Sequence, residues 1–214
     1  MINNLEAKKP RGRPRAFDRD EALKAATLTF WRLGYEGTSI ADLTAALGIT
    51  PQSLYAAFRS KAELYRESLA FYGSGLGTMA APSPFEAPDV IEAFRLFLEN
   101  SAREFTRLGM PHGCMISTAT LTCAIENQEI ADHVASLRGK ALQRVRDRLE
   151  QGVADGQLSS KTDVRALARF IGAIIQGMSV QARDGAGEAE LLAVAGLAID
   201  QLRHHAISPP SPGR

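Results

Sequence analysis

Within the stretch Thr38 to Lys61, TSIADLTAALGITPQSLYAAFRSK, there are two helix starts, a glycine stop and a proline placed at a first helical position. Thr38 or Ser39 reads as an N-cap, and Ile40, Leu43 and Leu47 follow at helical spacing. Gly48 ends that helix. Thr50 caps the next one, and Pro51 sits at its first position, where the missing N–H costs nothing. Leu54 and Phe58 share its inner face, and Ser60 caps a further helix through Leu64 and Leu69. A chain punctuated this often cannot run as one long helix; it must fold short helices onto one another. Upstream, Asp18 and Glu21 make a capping-box-like pair, opening a helix with Ala22, Ala25, Ala26, Leu28 and Phe30 that is expected to end near Gly34. Leu23, Ala26, Phe30, Ile40, Leu43, Leu47, Leu54 and Phe58 then supply a small core. Thr50, Gln52, Ser53, Tyr55 and Ala56 are left on the outer side of the third helix.

That outer side has the chemistry of a nucleic-acid reader. Gln52 and Ser53 can hydrogen-bond base edges, and Tyr55 can reach a phosphate or a thymine methyl. The helix starts at Thr38–Ser39 and Ser60–Lys61 offer free amides to phosphates, and Lys61 adds a full positive charge. Charge follows the same division. Residues 1–66 hold 11 Lys/Arg against 7 Asp/Glu, whereas residues 67–214 hold 14 against 17. A positive end suits a polyanion. Residues 1–16, with KKPRGRPR from Lys8 to Arg15, are expected to be a flexible basic arm. PRGRPR resembles the core of an AT-hook, which would lay Arg11, Arg13 and Arg15 in a narrow minor groove. The alternative is a solvated tail that adds only non-specific affinity.

The run GYEGTSIADLTAALGITPQSLYAAFRSKAELYRESL resembles the N-terminal domain of the TetR family of transcriptional regulators. The matching positions are Phe30, Gly34, Tyr35, Thr38, Ile40, Leu43, Ala46, Gly48, Leu54, Tyr55, Phe58, Lys61, Leu64 and Leu69. The resemblance implies a helix-turn-helix over 17–62 whose third helix reads DNA, in a homodimer. One departure is Ala56–Ala57, where the family usually carries a bulky Tyr or His. A phosphate contact would be lost there, leaving more of the positioning to Tyr55 and Lys61.

Beyond the head, residues 63–207 read as an effector-binding and dimerisation domain, and 208–214 as a disordered tail. Gly73 to Pro88 is rich in Gly, Pro and Ala and reads as a loop or broken helix end. Helical spacing resumes over Val90–Leu108, Cys114–Cys123, Asn127–Gly152, Val164–Arg183 and Glu188–His205. No alternating strand pattern appears, so the fold expected is all-α with about nine helices. Val164–Arg183 is apolar almost all round, with Gly172, Ala173 and Gly177 permitting close helix approach. Phe170, Ile174 and Gly177 with Leu191, Val194, Leu197 and Ile199 are expected to form a dimer interface, two helices from each subunit closing a four-helix bundle. The TetR resemblance implies the same pairing. An intramolecular core is the alternative.

Phe71, Phe94, Phe97, Leu98, Phe105, Cys114, Met115, Thr118, Ile175 and Met178 are the expected lining of a pocket for a small, largely apolar effector. Cys114, after His112 and Gly113, could instead be a redox or electrophile sensor. The chain's two cysteines, Cys114 and Cys123, have no metal-finger spacing and would not bridge. His112, Cys114 and His133 form no recognised metal pattern. No Gly-rich phosphate loop, HExxH or nucleophile elbow is present, so neither catalysis nor a cofactor is expected. With no secretory signal and no apolar run of about 18 residues, the expected location is the cytoplasm, on the nucleoid. Three readings follow: a ligand-responsive dimeric regulator, most often a repressor in the family, on a palindromic operator; a thiol-sensing one; and an effector-independent binder of A·T tracts.

Overall fold

The computed structural model describes residues 18–76 and 83–207. Among them are eight α-helices: α1 Arg19–Gly37, α2 Ile40–Leu47, α3 Pro51–Phe58, α4 Lys61–Phe71, α5 Val90–Phe105, α6 Gln128–Ala154, α7 Val164–Arg183 and α8 Glu188–Arg203. Three shorter turns supplement them at Tyr72–Leu76, Pro84–Glu86 and Ile125–Asn127. The remaining pairing is a single antiparallel bridge, Leu158 with Ala206, which pins the end of α8 to the α6–α7 turn. No helix among the described residues is long and apolar enough to cross a membrane. The basic arm, with Arg11, Arg13 and Arg15, and the tail from 208 lie outside the described residues.

Two apolar clusters organise the molecule. The first joins α1 to α4 around Leu23, Ala26, Phe30, Leu43, Leu54, Phe58, Leu64, Tyr65 and Leu69. Ile40 and Leu47 are only half-buried at its edge. Met115, Ile130 and Val134 also enter it, so the head rests on a ledge built from the 110s loop and the start of α6. The second cluster fills the body with Val90, Phe94, Leu98, Phe105, Leu149, Ile171, Met178, Leu191, Ala195, Ile199 and Leu202. At its near end Gly152 admits Val90; a Cβ there would lie 2.9 Å from Val90 Cγ2.

Two helix boundaries differ from the sequence expectation. Gly34 (φ 74°, ψ 173°) kinks the first helix without ending it, and one more turn reaches Gly37. Cys114–Cys123 is not a helix but a chain of turns. Its amides are taken locally: Cys114 Sγ accepts from Ile116 N–H and Ser117 N–H, each at 3.4 Å. Thr118 Oγ1 donates back to the Cys114 carbonyl, and Thr120 has φ 47°. Side chains that capture nearby backbone groups compete with the helical ladder.

Candidate nucleic-acid interface

The helix-turn-helix is fixed by three caps. Ser39 and Asp42 form a reciprocal capping box, Ser39 Oγ accepting from Asp42 N–H at 3.1 Å and Asp42 Oδ2 accepting from Ser39 N–H at 2.8 Å. The Ser39 bonds hold the Asp42 carboxyl below its usual range. Gly48 (φ 65°, ψ 32°) makes the left-handed turn that separates α2 from α3. Thr50 Oγ1 accepts from Ser53 N–H at 3.2 Å and pairs with Ser53 Oγ at 3.0 Å. Leu54 and Phe58 anchor α3 inward, leaving Pro51, Gln52, Ser53, Tyr55 and Ala56 exposed. Tyr55 keeps 47% of its surface open.

One expected contact residue is placed otherwise. Thr38 is 1% exposed and its hydroxyl donates to the Gly34 carbonyl at 2.6 Å, so its side chain braces the α1 kink and does not face outward. Ser39, not Thr38, is the cap of α2. The Lys61 ammonium lies 4.3 Å from the Tyr35 ring centroid, and burial lowers its pKa. Arg59 lies outside the face expected from the sequence. It is exposed at the C-terminal end of α3 and holds φ 65°, an unusual conformation for a residue with a side chain. Its signal was its place between Phe58 and the cap Ser60.

Head and body meet in a small hydrogen-bonded junction. Trp31 Nε1 donates to the Gly113 carbonyl at 3.1 Å, and Arg183 Nη2 donates to the Trp31 carbonyl at 2.6 Å. Cys114 N–H donates to Ser179 Oγ at 2.7 Å. Gly113, at φ 75°, sits so close to α7 that a Cβ would fall 2.5 Å from the Ser179 carbonyl oxygen. Cys114 packs against both clusters. Tyr72 is buried beside this junction; burial, then the nearby Cys114 thiol, raises its pKa well above its usual range.

Among the described residues, those expected to line a pocket divide between the two apolar clusters. Phe94, Leu98, Phe105 and Met178 are packed inside the body cluster, with Phe97 and Ile175 at its edge. Phe71 and Met115 belong to the head cluster, and Thr118 is half-buried on the turns between. The dimer set also divides. Leu191 is fully buried and Ile199 is 4% exposed, both inside the protomer core, which corrects their assignment to an interface. Phe170, Ile174 and Val194 pack at the edge of that core. Leu197 is 73% exposed, Val180 is 45% exposed, and a Cβ at Gly177 or Gly196 would meet nothing. Gly172 instead faces α6, where an added Cβ would lie 3.2 Å from Leu142 Cδ1.

Residues 22–67 match the family model of bacterial regulatory proteins of the tetR family, and residues 91–192 match the tetracyclin repressor-like C-terminal domain. The chain belongs to the TetR family. It is 36% identical to the HTH-type transcriptional repressor ComR of Escherichia coli (strain K12) over 193 residues, 90% of this chain and 92% of the relative. It is 31% identical to the repressor BdcR of the same organism, over 95% of this chain and 98% of the relative. Among solved structures it resembles a cysteine mutant of the TetR-family regulator CifR complexed with 26-bp double-strand operator DNA. There the TM-score is 0.83 at 41% identity, covering 88% of this chain and 98% of that one. As a TetR-family protein the chain is a DNA-binding transcriptional regulator and not an enzyme. Its all-helical fold, an N-terminal helix-turn-helix domain on a C-terminal helical domain, is that of the family.

Proposed function

We propose that this TetR-family regulator is a homodimeric repressor that holds a palindromic operator until a small-molecule signal releases it. The observation that carries the reading is the open apolar strip on α7 and α8, Ala173, Gly177, Val180, Gly196 and Leu197, facing away from the protomer core. A strip of this kind on a monomer calls for a partner, and a second copy would give two α3 helices for paired half-sites. Thr50 positions α3, while Gln52, Ser53 and Tyr55 read the groove. Ser39 and Lys61, joined by Arg59, face the backbone. Arg11, Arg13 and Arg15 add salt-dependent affinity from the arm. The repressors ComR and BdcR, similar over nine-tenths or more of the chain, support repression. Leu197→Glu tests the dimer. Light scattering is expected to give a monomer, with operator affinity down by about tenfold or more. A dimeric Leu197→Glu with full operator affinity refutes the pairing.

A thiol signal through Cys114 is the second reading, favoured by its geometry over an apolar cavity. Cys114 Sγ is half-buried at the head–body junction, where two backbone N–H groups hold it in place. A group added to Sγ would wedge the seam where Tyr72, Ser179 and Gly113 hold head to body. Iodoacetamide is expected to modify Cys114 and weaken operator binding, and Cys114→Ser to abolish the response. An unchanged response in Cys114→Ser refutes this reading.

A further inference from the structure

A cleft of about 340 Å³ opens between α6 and α7, and none of the residues expected to line an effector pocket touches it. Its walls carry Arg146, Arg165 and Arg169 with Gln143, and Leu142 and Ala168 supply apolar surface. No acidic side chain lines it. Glu150 takes Arg146 Nε at 2.7 Å, and the Gln143 amide holds Asp147 at 2.7 Å. Arg165 and Arg169 form no ion pair among the described residues. They lie four residues apart on one face of α7, and Arg146 faces them from α6.

Isolated exposed arginines are ordinarily solvated. Here three guanidinium groups share a concave surface whose two neighbouring carboxylates, Glu150 and Asp147, are already engaged by Arg146 and Gln143, and the mutual repulsion of the guanidinium groups is relieved by a bound anion. Guanidinium forks match a carboxylate bidentately, and the aliphatic walls favour a hydrocarbon part over a bare inorganic ion. The volume lies near the lower end of the range for small-molecule sites, about 300–1,000 Å³. We propose that this cleft binds a small organic carboxylate with an apolar body. The same helix reaches the head junction at Ser179, about 15 Å along from Arg169 at about 1.5 Å per residue. A ligand that shifts α7 against α6 therefore acts on the operator-binding head. That consequence rests on the repressor reading; the cleft assignment does not.

The test is titration calorimetry of the full chain with octanoate and with the uncharged octanamide. Saturable octanoate binding is expected, with octanamide and the Arg165→Gln/Arg169→Gln variant each weaker by about tenfold or more. Gln143→Glu, at an exposed position, sets a competing carboxylate at the rim and is expected to weaken octanoate similarly, so the test does not depend on one variant folding. Equal affinity for octanamide, undiminished binding in both variants, or no saturable binding overturns the proposal. So does a monomeric double variant in light scattering, which would assign the arginines to the subunit interface. Operator affinity measured without octanoate keeps the two readings apart: its absence refutes the repressor and leaves the cleft untouched.

Discussion

Gly113→Ala is the sharpest probe of how the head is tied to the body. The residue has φ 75°, where an L side chain costs about 1–2 kcal/mol. Its Cβ would also fall 2.5 Å from the Ser179 carbonyl oxygen and 3.0 Å from Ser179 Oγ and Arg183 Cγ. The first of these neighbours is helix backbone and cannot turn aside, so the loop must retreat from α7. Retreat stretches two hydrogen bonds, Cys114 N–H to Ser179 Oγ and Trp31 Nε1 to the Gly113 carbonyl. At about 1 kcal/mol each, these bring the total to about 3–4 kcal/mol. With about 2–4 °C per kcal/mol for a chain of this size, the melting temperature should fall by about 10 °C. Gly109→Ala is the control. Gly109 has φ 78° but nothing within 4 Å of an added Cβ, so it bears the backbone penalty alone, about 4 °C. Thermal denaturation followed by circular dichroism separates the two, and fluorescence anisotropy on operator DNA is expected to show affinity lost only in Gly113→Ala. Equal melting temperatures for the two variants would refute the argument that the loop is locked to α7.

Ser39→Ala removes half of the capping box at α2 and should cost about 1 kcal/mol, a drop of about 3 °C in the same melt; a drop below about 1 °C would mean that Asp42 alone holds that turn. His133 gives a pH dependence. Burial first, then Arg66 and Lys140, lower its pKa, against an opposing pull from Glu63. The unfolded chain therefore takes up the proton more readily than the folded one. Stability contributed by the neutral ring is present above the unfolded pKa of about 6.5 and is lost as pH falls through the folded value. Melts between about pH 7.5 and 5.5, a unit either side of that value, should show His133→Gln losing less stability on acidification than the parent; equal slopes would refute the assignment.

The head was legible because its signals are local. Asp18, Ser39, Thr50 and Ser60 each cap the helix they precede, and Gly48 turns left-handed where a stop was expected. What the residues could not tell is which apolar groups meet. Leu191, Leu197 and Ile199 belong to one stripe in the sequence, yet Leu191 and Ile199 point into the core and Leu197 points out, because α8 packs on α5 and α7 and leaves its far side open. Phe94 and Met178 looked equally suited to a pocket or a core, and packing decides between those, not residue type. Thr38 and Cys114 were misplaced for a related reason. Each spends its side chain on backbone a few residues away, the hydroxyl on Gly34 and the thiol on Ile116 and Ser117, and so builds a kink or a turn where helical spacing alone reads a surface cap or a helix.

Much of what the regulator must do converges on α7. One face, Leu167, Ile171, Met178 and Ala182, is buried in the body. A second, Ala173, Gly177 and Val180, is the open strip proposed for the second subunit. A third, Arg165 and Arg169, lines the basic cleft against α6. Its C-terminal end reaches the head directly through Arg183 and, by way of the 110s loop, through Ser179. A 20-residue helix spans about 30 Å and resists bending. If the subunit contact holds its middle, a push at the cleft end is returned as a displacement at the head end. On the second reading, a modification at Cys114 would act on the same helix through Ser179. A ligand in the cleft and a group on the thiol would then set the spacing of the two α3 helices through one element, and would do so only by their unequal affinity for its two positions.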